Sequence, residues 1–100
     1  MAKKNRQSIV TPCLDCCYIC GTTRDIHIHH IYGGPNRNNS EKYGLIIPLC
    51  ADHHNMSPDS AHLNPDINKR LKVIGQEVFE TKVGTREEFI AIFGKSYILD

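Results

Sequence analysis

Apolar residues fall into short, separated groups, and the spacing inside each group predicts its element. Ile26-His-Ile-His-His-Ile31 alternates in the manner of a short strand. Gly33-Gly34-Pro35-Asn36 breaks it, and the polar stretch through about Lys42 reads as a loop. Leu45-Ile-Ile-Pro-Leu49 is a compact apolar run that predicts a second strand, with Pro48 placing it at an edge or marking its end. Cys50-Ala-Asp-His-His-Asn55 reads as the first turns of a helix cut off near Ser57-Pro58. Asn64-Pro65 then starts a longer helix, since Asn caps well and Pro is tolerated at the first helical position. Ile67, Leu71, Ile74 and Val78 recur at steps of three and four and give it one apolar stripe, which ends at Gly84. Thr85-Arg-Glu-Glu88 is a capping box for a last helix carrying Phe89, Ile90, Ile92 and Phe93 and stopped by Gly94. Phe93 and Tyr97 are expected to pack on the stripe. The fold class is α+β: a two-stranded hairpin plus helix with C-terminal helices.

At 100 residues the chain is one domain. Residues 1–12 lack periodicity and read as a flexible basic arm ahead of a single domain over 13–100. Its core lies at about 13–62 and its C-terminal helices at about 64–94. A domain this small is marginally stable, so a metal staple is plausible. No apolar run approaches the roughly 18 residues of a membrane span, and none follows Met1 that would serve as a signal peptide. A cytoplasmic protein without membrane contact is expected.

Net charge is only +1, which excludes binding to nucleic acid through a strong global field. It leaves room for a local patch, with Lys3, Lys4 and Arg6 at one end and Arg37 and Lys42 as candidate phosphate contacts in the middle. More telling are the soft ligands: five Cys, four of them in Cys13-Leu-Asp-Cys16-Cys17-Tyr-Ile-Cys20, and six His, all between positions 27 and 62. An odd Cys count with C-x2-C spacing argues for metal rather than a disulfide framework.

Cys17-x2-Cys20-Gly21 has knuckle spacing, with a glycine that lets the chain turn around a metal. Cys50-x2-His53 supplies the complementary pair at a helix start, whose positive end favours the Cys50 thiolate. Together they predict a closed structural zinc site. Cys13-x2-Cys16 has the same spacing and is the alternative register, disfavoured because no glycine follows it. Cys50 with His54 is the alternative for the second half. Adjacent helical residues point about 100° apart, so His53 and His54 are expected to serve different sites.

The order knuckle, Ile28-His29-His30-Ile31-Tyr32-Gly33-Gly34, apolar strand, Leu49-Cys50-Ala51-Asp52-His53-His54 resembles the HNH endonucleases of the treble-clef, ββα-metal superfamily. It covers about residues 16–55 and extends towards His62. Ser40-Glu-Lys-Tyr-Gly-Leu45 and the C-terminal Phe-Gly-Lys-Ser-Tyr-Ile run are similar to small phage-encoded members. The resemblance implies hydrolysis of phosphodiester bonds in DNA. His30 would be the general base that deprotonates a water, a role imidazole suits because its pKa lies near neutrality. His29 and His54 would be ligands of a catalytic divalent metal (Mg2+, Mn2+, Ni2+ or Zn2+), with His62 as a third if Asp59 to His62 turns back on the helix. His27 shares a strand face with His29 and would line the sheet. The family's usual Asn-Leu ahead of Leu-Cys is Gly44-Leu45 here, so Asn36, Asn38 or Asn39 would have to orient the base from the loop. A protein partner or a homodimer is left open, since simple double-strand cutting needs two active sites. The competing readings are a non-catalytic zinc module that binds nucleic acid or protein, and a metal-storage or sensing protein.

Overall fold

A computed structural model of the chain describes residues 7–98. Strand β1 (Ile26–His30) leads through a single tight turn at Gly34–Asn36 into helix α1 (Arg37–Tyr43), and strand β2 (Ile46–Cys50) follows. A wide π turn, Asp52–Met56, then precedes helices α2 (Pro65–Lys82) and α3 (Arg86–Phe93). The strands pair antiparallel from Ile26 opposite Cys50 to His30 opposite Ile46. The observed architecture is therefore α+β, a two-stranded antiparallel hairpin with helices. Among the described residues no helix is long and apolar enough to cross a membrane.

Every residue of β2 is buried. Pro48 is tolerated at its centre because this residue faces away from β1, where its missing N–H breaks no ladder bond. On that outer edge the Pro48 carbonyl accepts from the Tyr18 N–H at 2.7 Å, and the Ile46 carbonyl from the Ser8 hydroxyl at 2.6 Å. Ser8 thus begins a tie that continues through the Ile9 N–H to the Gly44 carbonyl at 2.9 Å, with Ile9 and Val10 packed on the core. The described part of the 1–12 segment is docked rather than a free arm; Lys3, Lys4 and Arg6 lie outside the described residues.

The stretch expected to be a loop through Lys42 is helical from Arg37, and the reason is tertiary. Ser40 is fully buried, donating to the Tyr32 carbonyl at 2.7 Å and accepting from the Tyr32 N–H at 3.0 Å. The Asn36 amide donates to the Phe93 carbonyl at 3.0 Å and the Asn39 amide to the Ile92 carbonyl at 3.3 Å. Gly44 closes the helix at φ 73°, a left-handed conformation that favours glycine. A Cβ there would sit 2.9 Å from the Gln7 carbonyl oxygen. The docked N-terminal segment therefore forbids a side chain at the position where the HNH pattern has asparagine.

Asn64 caps α2 by accepting from the Asp66 and Ile67 N–H groups, and α3 carries both bonds of the Thr85–Glu88 capping box. On α2 the buried residues are Leu71, Gly75, Gln76 and Phe79, with Ile67 packed alongside, whereas Ile74 and Val78 are only half-buried. The expected stripe is thus rotated towards the 67-71-75-79 row. A count of hydrophobic side chains misses it because its closest approach is made at a glycine. Tyr32, fully buried, donates its hydroxyl to the Lys72 carbonyl and packs its ring 4.7 Å from Phe93. Phe93 stacks on Phe89 at 4.7 Å, as expected of a core residue. Buried Gln76 accepts from the Tyr97 N–H at 2.7 Å and donates to Ser96, which holds the chain after α3 against α2.

A Cβ added at Gly75 would lie 2.9 Å from the Tyr32 hydroxyl and 3.2 Å from Ile31 Cγ2. Gly75→Ala is therefore expected to destabilise the fold by about 1–3 kcal/mol despite the better helix propensity of alanine. Urea denaturation measures this, and an unchanged or raised midpoint would show that the α2 contact is slack.

Candidate metal centres

The π turn after β2 places two adjacent imidazoles in two different groups. His53 joins Cys17, Cys20 and Cys50, and the four ligand atoms lie within 4.8 Å of one another. The Cys20 and Cys50 sulfurs are 3.8 Å apart, and His53 Nδ1 is 3.2 Å from Cys50 Sγ and 3.7 Å from Cys17 Sγ. Bonds of about 2.3 Å at a tetrahedral angle separate two sulfurs by about 3.8 Å, so this set can hold one metal ion. Cys17 is pinned by its N–H to the Thr22 carbonyl and its carbonyl to the Gly21 N–H, both at 2.8 Å, with Gly21 at φ 81°. The turn that the Cys-Gly sequence suggested is the turn that forms.

Burial raises the Cys17 thiol pKa, but the backbone N–H groups of Cys50, Cys20 and Ile19 outweigh it and bring the value down to about 6. Cys50 behaves in the opposite way. Burial pushes its thiol up, and the His53 N–H only partly offsets this. The expectation that a helix start would favour the Cys50 thiolate is thus corrected: a single wide turn aims one backbone N–H at Cys50, whereas the knuckle surrounds Cys17. Cys13 and Cys16 pair with each other at 3.6 Å, outside this group.

The second group is His29, His54 and His62, again with ligand atoms within 4.8 Å. His62 arrives because residues 57–62 fold back on the π turn: the Ala61 N–H donates to the His53 carbonyl at 2.7 Å and the His62 N–H to the His54 carbonyl at 3.1 Å. His54 Nε2 lies 3.1 Å from His62 Nε2, and the His29 ring centroid lies 5.4 Å from that of His54 and 5.2 Å from that of His62. His29 is 4 % exposed. Desolvation, followed by the charges of His54, His62, His30 and Lys72, lowers its pKa from 6.5 to about 3. His54 is lowered for the same kind of reason, burial first and then His62 and His27. Both rings are therefore neutral at pH 7, the form that binds metal.

His27, expected only to line the sheet, has its Nδ1 3.0 Å from His54 Nδ1. It occupies the nitrogen of His54 that points away from His62, as an orienting partner of a metal-binding imidazole does. The signal for this was its shared strand face with His29.

His30 is not part of the histidine group. β1 stays regular to its last residue, without a bulge, so His30 faces the opposite side of the hairpin from His29. There its Nε2 meets Glu41 Oε1 of α1 at 2.9 Å. Glu41 escapes a sequence reading that places no helix at α1, although it lies inside the Ser40–Leu45 stretch that carries part of the resemblance. Asn36 and Asn39 are committed to α3, and Asn38 is exposed, so Glu41 is the residue seen to orient His30. Arg37 and Lys42 are exposed on α1, with the Lys42 ammonium 5.4 Å above the Tyr43 ring.

Neither a protein-family profile, nor a curated protein, nor a solved structure matches the chain.

Two measurements test these assignments. Cys20→Ser is expected to lose one bound metal and its cooperative thermal unfolding, whereas Cys13→Ser and Cys16→Ser keep both. Metal retained in Cys20→Ser but lost in Cys13→Ser would move the centre to the upstream pair. In protein whose histidine group is metal-free, folded His29 stays neutral while the unfolded chain protonates below about 6.5. This group then costs stability progressively as pH falls from 6.5 towards about 3. By NMR the His29 ring should not titrate between pH 7.5 and about 5, and a midpoint near 6.5 would contradict its desolvation.

Proposed function

We propose that the protein is a metal-dependent endonuclease of the HNH type, a treble-clef ββα-metal domain that hydrolyses phosphodiester bonds in DNA. What supports this most is the pair of unlike donor sets parted at His53 and His54: a closed set of three sulfurs and one nitrogen beside an open set of three nitrogens. Three thiolates and an imidazole suit a structural zinc, whereas three imidazoles leave a coordination position for water or substrate. Cys17, Cys20, Cys50 and His53 would hold the zinc.

His29, His54 and His62 would hold the catalytic divalent ion, which when bound would supply Lewis-acid stabilisation to the scissile phosphate and the leaving oxygen. The chain's own contribution is to present that group neutral and oriented. Burial keeps His29 unprotonated, and His27 holds His54. His30 is the general base. With the Glu41 carboxylate 2.9 Å from Nε2, accepting from an Nε2–H would leave Nδ1 as the nitrogen that takes the proton from a water. Because His29 and His30 flank the end of β1 on opposite sides, the phosphate would straddle that strand end.

A non-catalytic zinc module that binds nucleic acid or protein is the second reading. It is favoured by the separation of His30 from the histidine group.

The deciding experiment incubates purified protein with supercoiled plasmid and Mg2+, Mn2+, Ni2+ or Zn2+. Wild type should nick with at least one metal. His54→Ala should abolish nicking, and His30→Ala should slow it about 10²–10⁴-fold. Glu41→Gln should slow it less, because the imidazole remains. No nicking with any metal, or nicking undiminished in His30→Ala, would sink this mechanism.

A further inference from the structure

A concavity of the described surface opens beside the histidine group. It has a volume of about 560 Å³ and lies between the start of α2 and the chain that follows α3. His62 belongs to its wall as well as to the metal-binding group. Lys69, Lys72 and Lys95 also line it, together with Tyr97 and Asn68, and among the described residues no carboxylate does. In a chain of net charge +1, three lysines in one wall without an acidic residue beside them are a marked local excess.

The arrangement inside the cavity is specific. The Lys72 and Lys95 ammonium groups lie 5.4 and 5.1 Å from the centroid of the same Tyr97 ring. Two like charges drawn to one ring repel each other unless an anion lies near them. The Tyr97 backbone is held by buried Gln76 at 2.7 Å, and its ring packs 5.4 Å from that of Tyr32. His62, shared by the cavity wall and the histidine group, joins the two.

We propose that this cavity is the phosphate-binding subsite of the substrate, taking the DNA strand's phosphates next to the bond at the histidine centre, with His62 at the junction of the two. The inference rests on the nuclease reading for which bond is cut, but not for whether DNA phosphates bind. A polyanionic strand fits better than a single small anion because three lysines line a cavity of about 560 Å³, large enough for more than one phosphate. When phosphates draw Lys72 and Lys95 off the ring, Tyr97 offers its face to a base. The basic residues expected to reach phosphate from α1, Arg37 and Lys42, are not part of this wall.

The test is fluorescence anisotropy with a labelled DNA oligonucleotide, titrated at several salt concentrations, using zinc-loaded protein with no other divalent metal added. Lys69→Gln/Lys72→Gln/Lys95→Gln should weaken binding at least about 10-fold. It should also reduce the slope of log K against log salt by about 0.7–0.9 for each phosphate that is no longer neutralised, roughly 2–3 in all. Arg70→Gln removes a charge from the same helix outside the cavity and should leave the slope near the wild-type value. Circular dichroism and zinc content confirm that the variants are folded. Unchanged affinity and slope in the triple variant would overturn the proposal, as would an equal loss in Arg70→Gln, which would show general attraction only. Failure of the nuclease reading is distinguishable: plasmid nicking would be absent while lysine-dependent binding persisted.

Discussion

Cys50 closes β2, and the π turn that starts two residues later decides where every candidate metal ligand in the C-terminal half of the site will point. A wide single turn rather than a continuing helix sends His53 back towards the knuckle and His54 across to His29 and His27. It also leaves the His53 and His54 carbonyls available, and these are taken by the Ala61 and His62 N–H groups. The backbone that splits the two imidazoles thus also returns His62 to the second group. The hairpin register completes the arrangement, since Ile26 stands opposite Cys50 and so brings His27 and His29 alongside the turn.

The core explains why the hairpin can hold these groups in place. β2 is buried throughout, and its outer edge is sealed by Ser8 and Tyr18 rather than by a third strand. The aromatic residues Tyr32, Phe79, Phe89 and Phe93 fill the space between the strand end and α2 with α3. That layer meets α2 at Gly75, so helix and loop are in backbone-close contact. The hairpin that this packing anchors also carries His29 in a buried position. Burial disfavours its charged form and keeps a nitrogen lone pair available.

Much of this was legible in local sequence, and the reasons are local. Caps at Asn64 and Thr85, the glycine stop at Gly94, the alternation of 26–31 and the Cys-x2-Cys-Gly knuckle each depend on residues a few positions apart. What was illegible depended on distant residues. α1 is short and polar, and it exists because Ser40 is latched to Tyr32 while Asn36 and Asn39 reach the end of α3. Without α1 there was no reason to connect Glu41 with His30. The burial of Gly75 and Gln76 on α2, and the meeting of Lys72 and Lys95 over Tyr97, likewise follow from how the tail packs. No periodicity records such a meeting of residues.

The adjacency of His29 and His30 then takes on a physical meaning. Strand geometry forces neighbours to opposite faces, so a regular β1 cannot place both rings on one ion. It gives them unlike environments. His29 is buried among other imidazoles, where protonation is disfavoured and the group could hold a metal ion. His30 stands half-buried with its Nε2 2.9 Å from the Glu41 carboxylate. In the mechanism proposed, His29 as a ligand would have to stay deprotonated, whereas His30 as a base would have to gain and release a proton. The two requirements would conflict within one pocket, and alternation along a single strand would separate them by one residue.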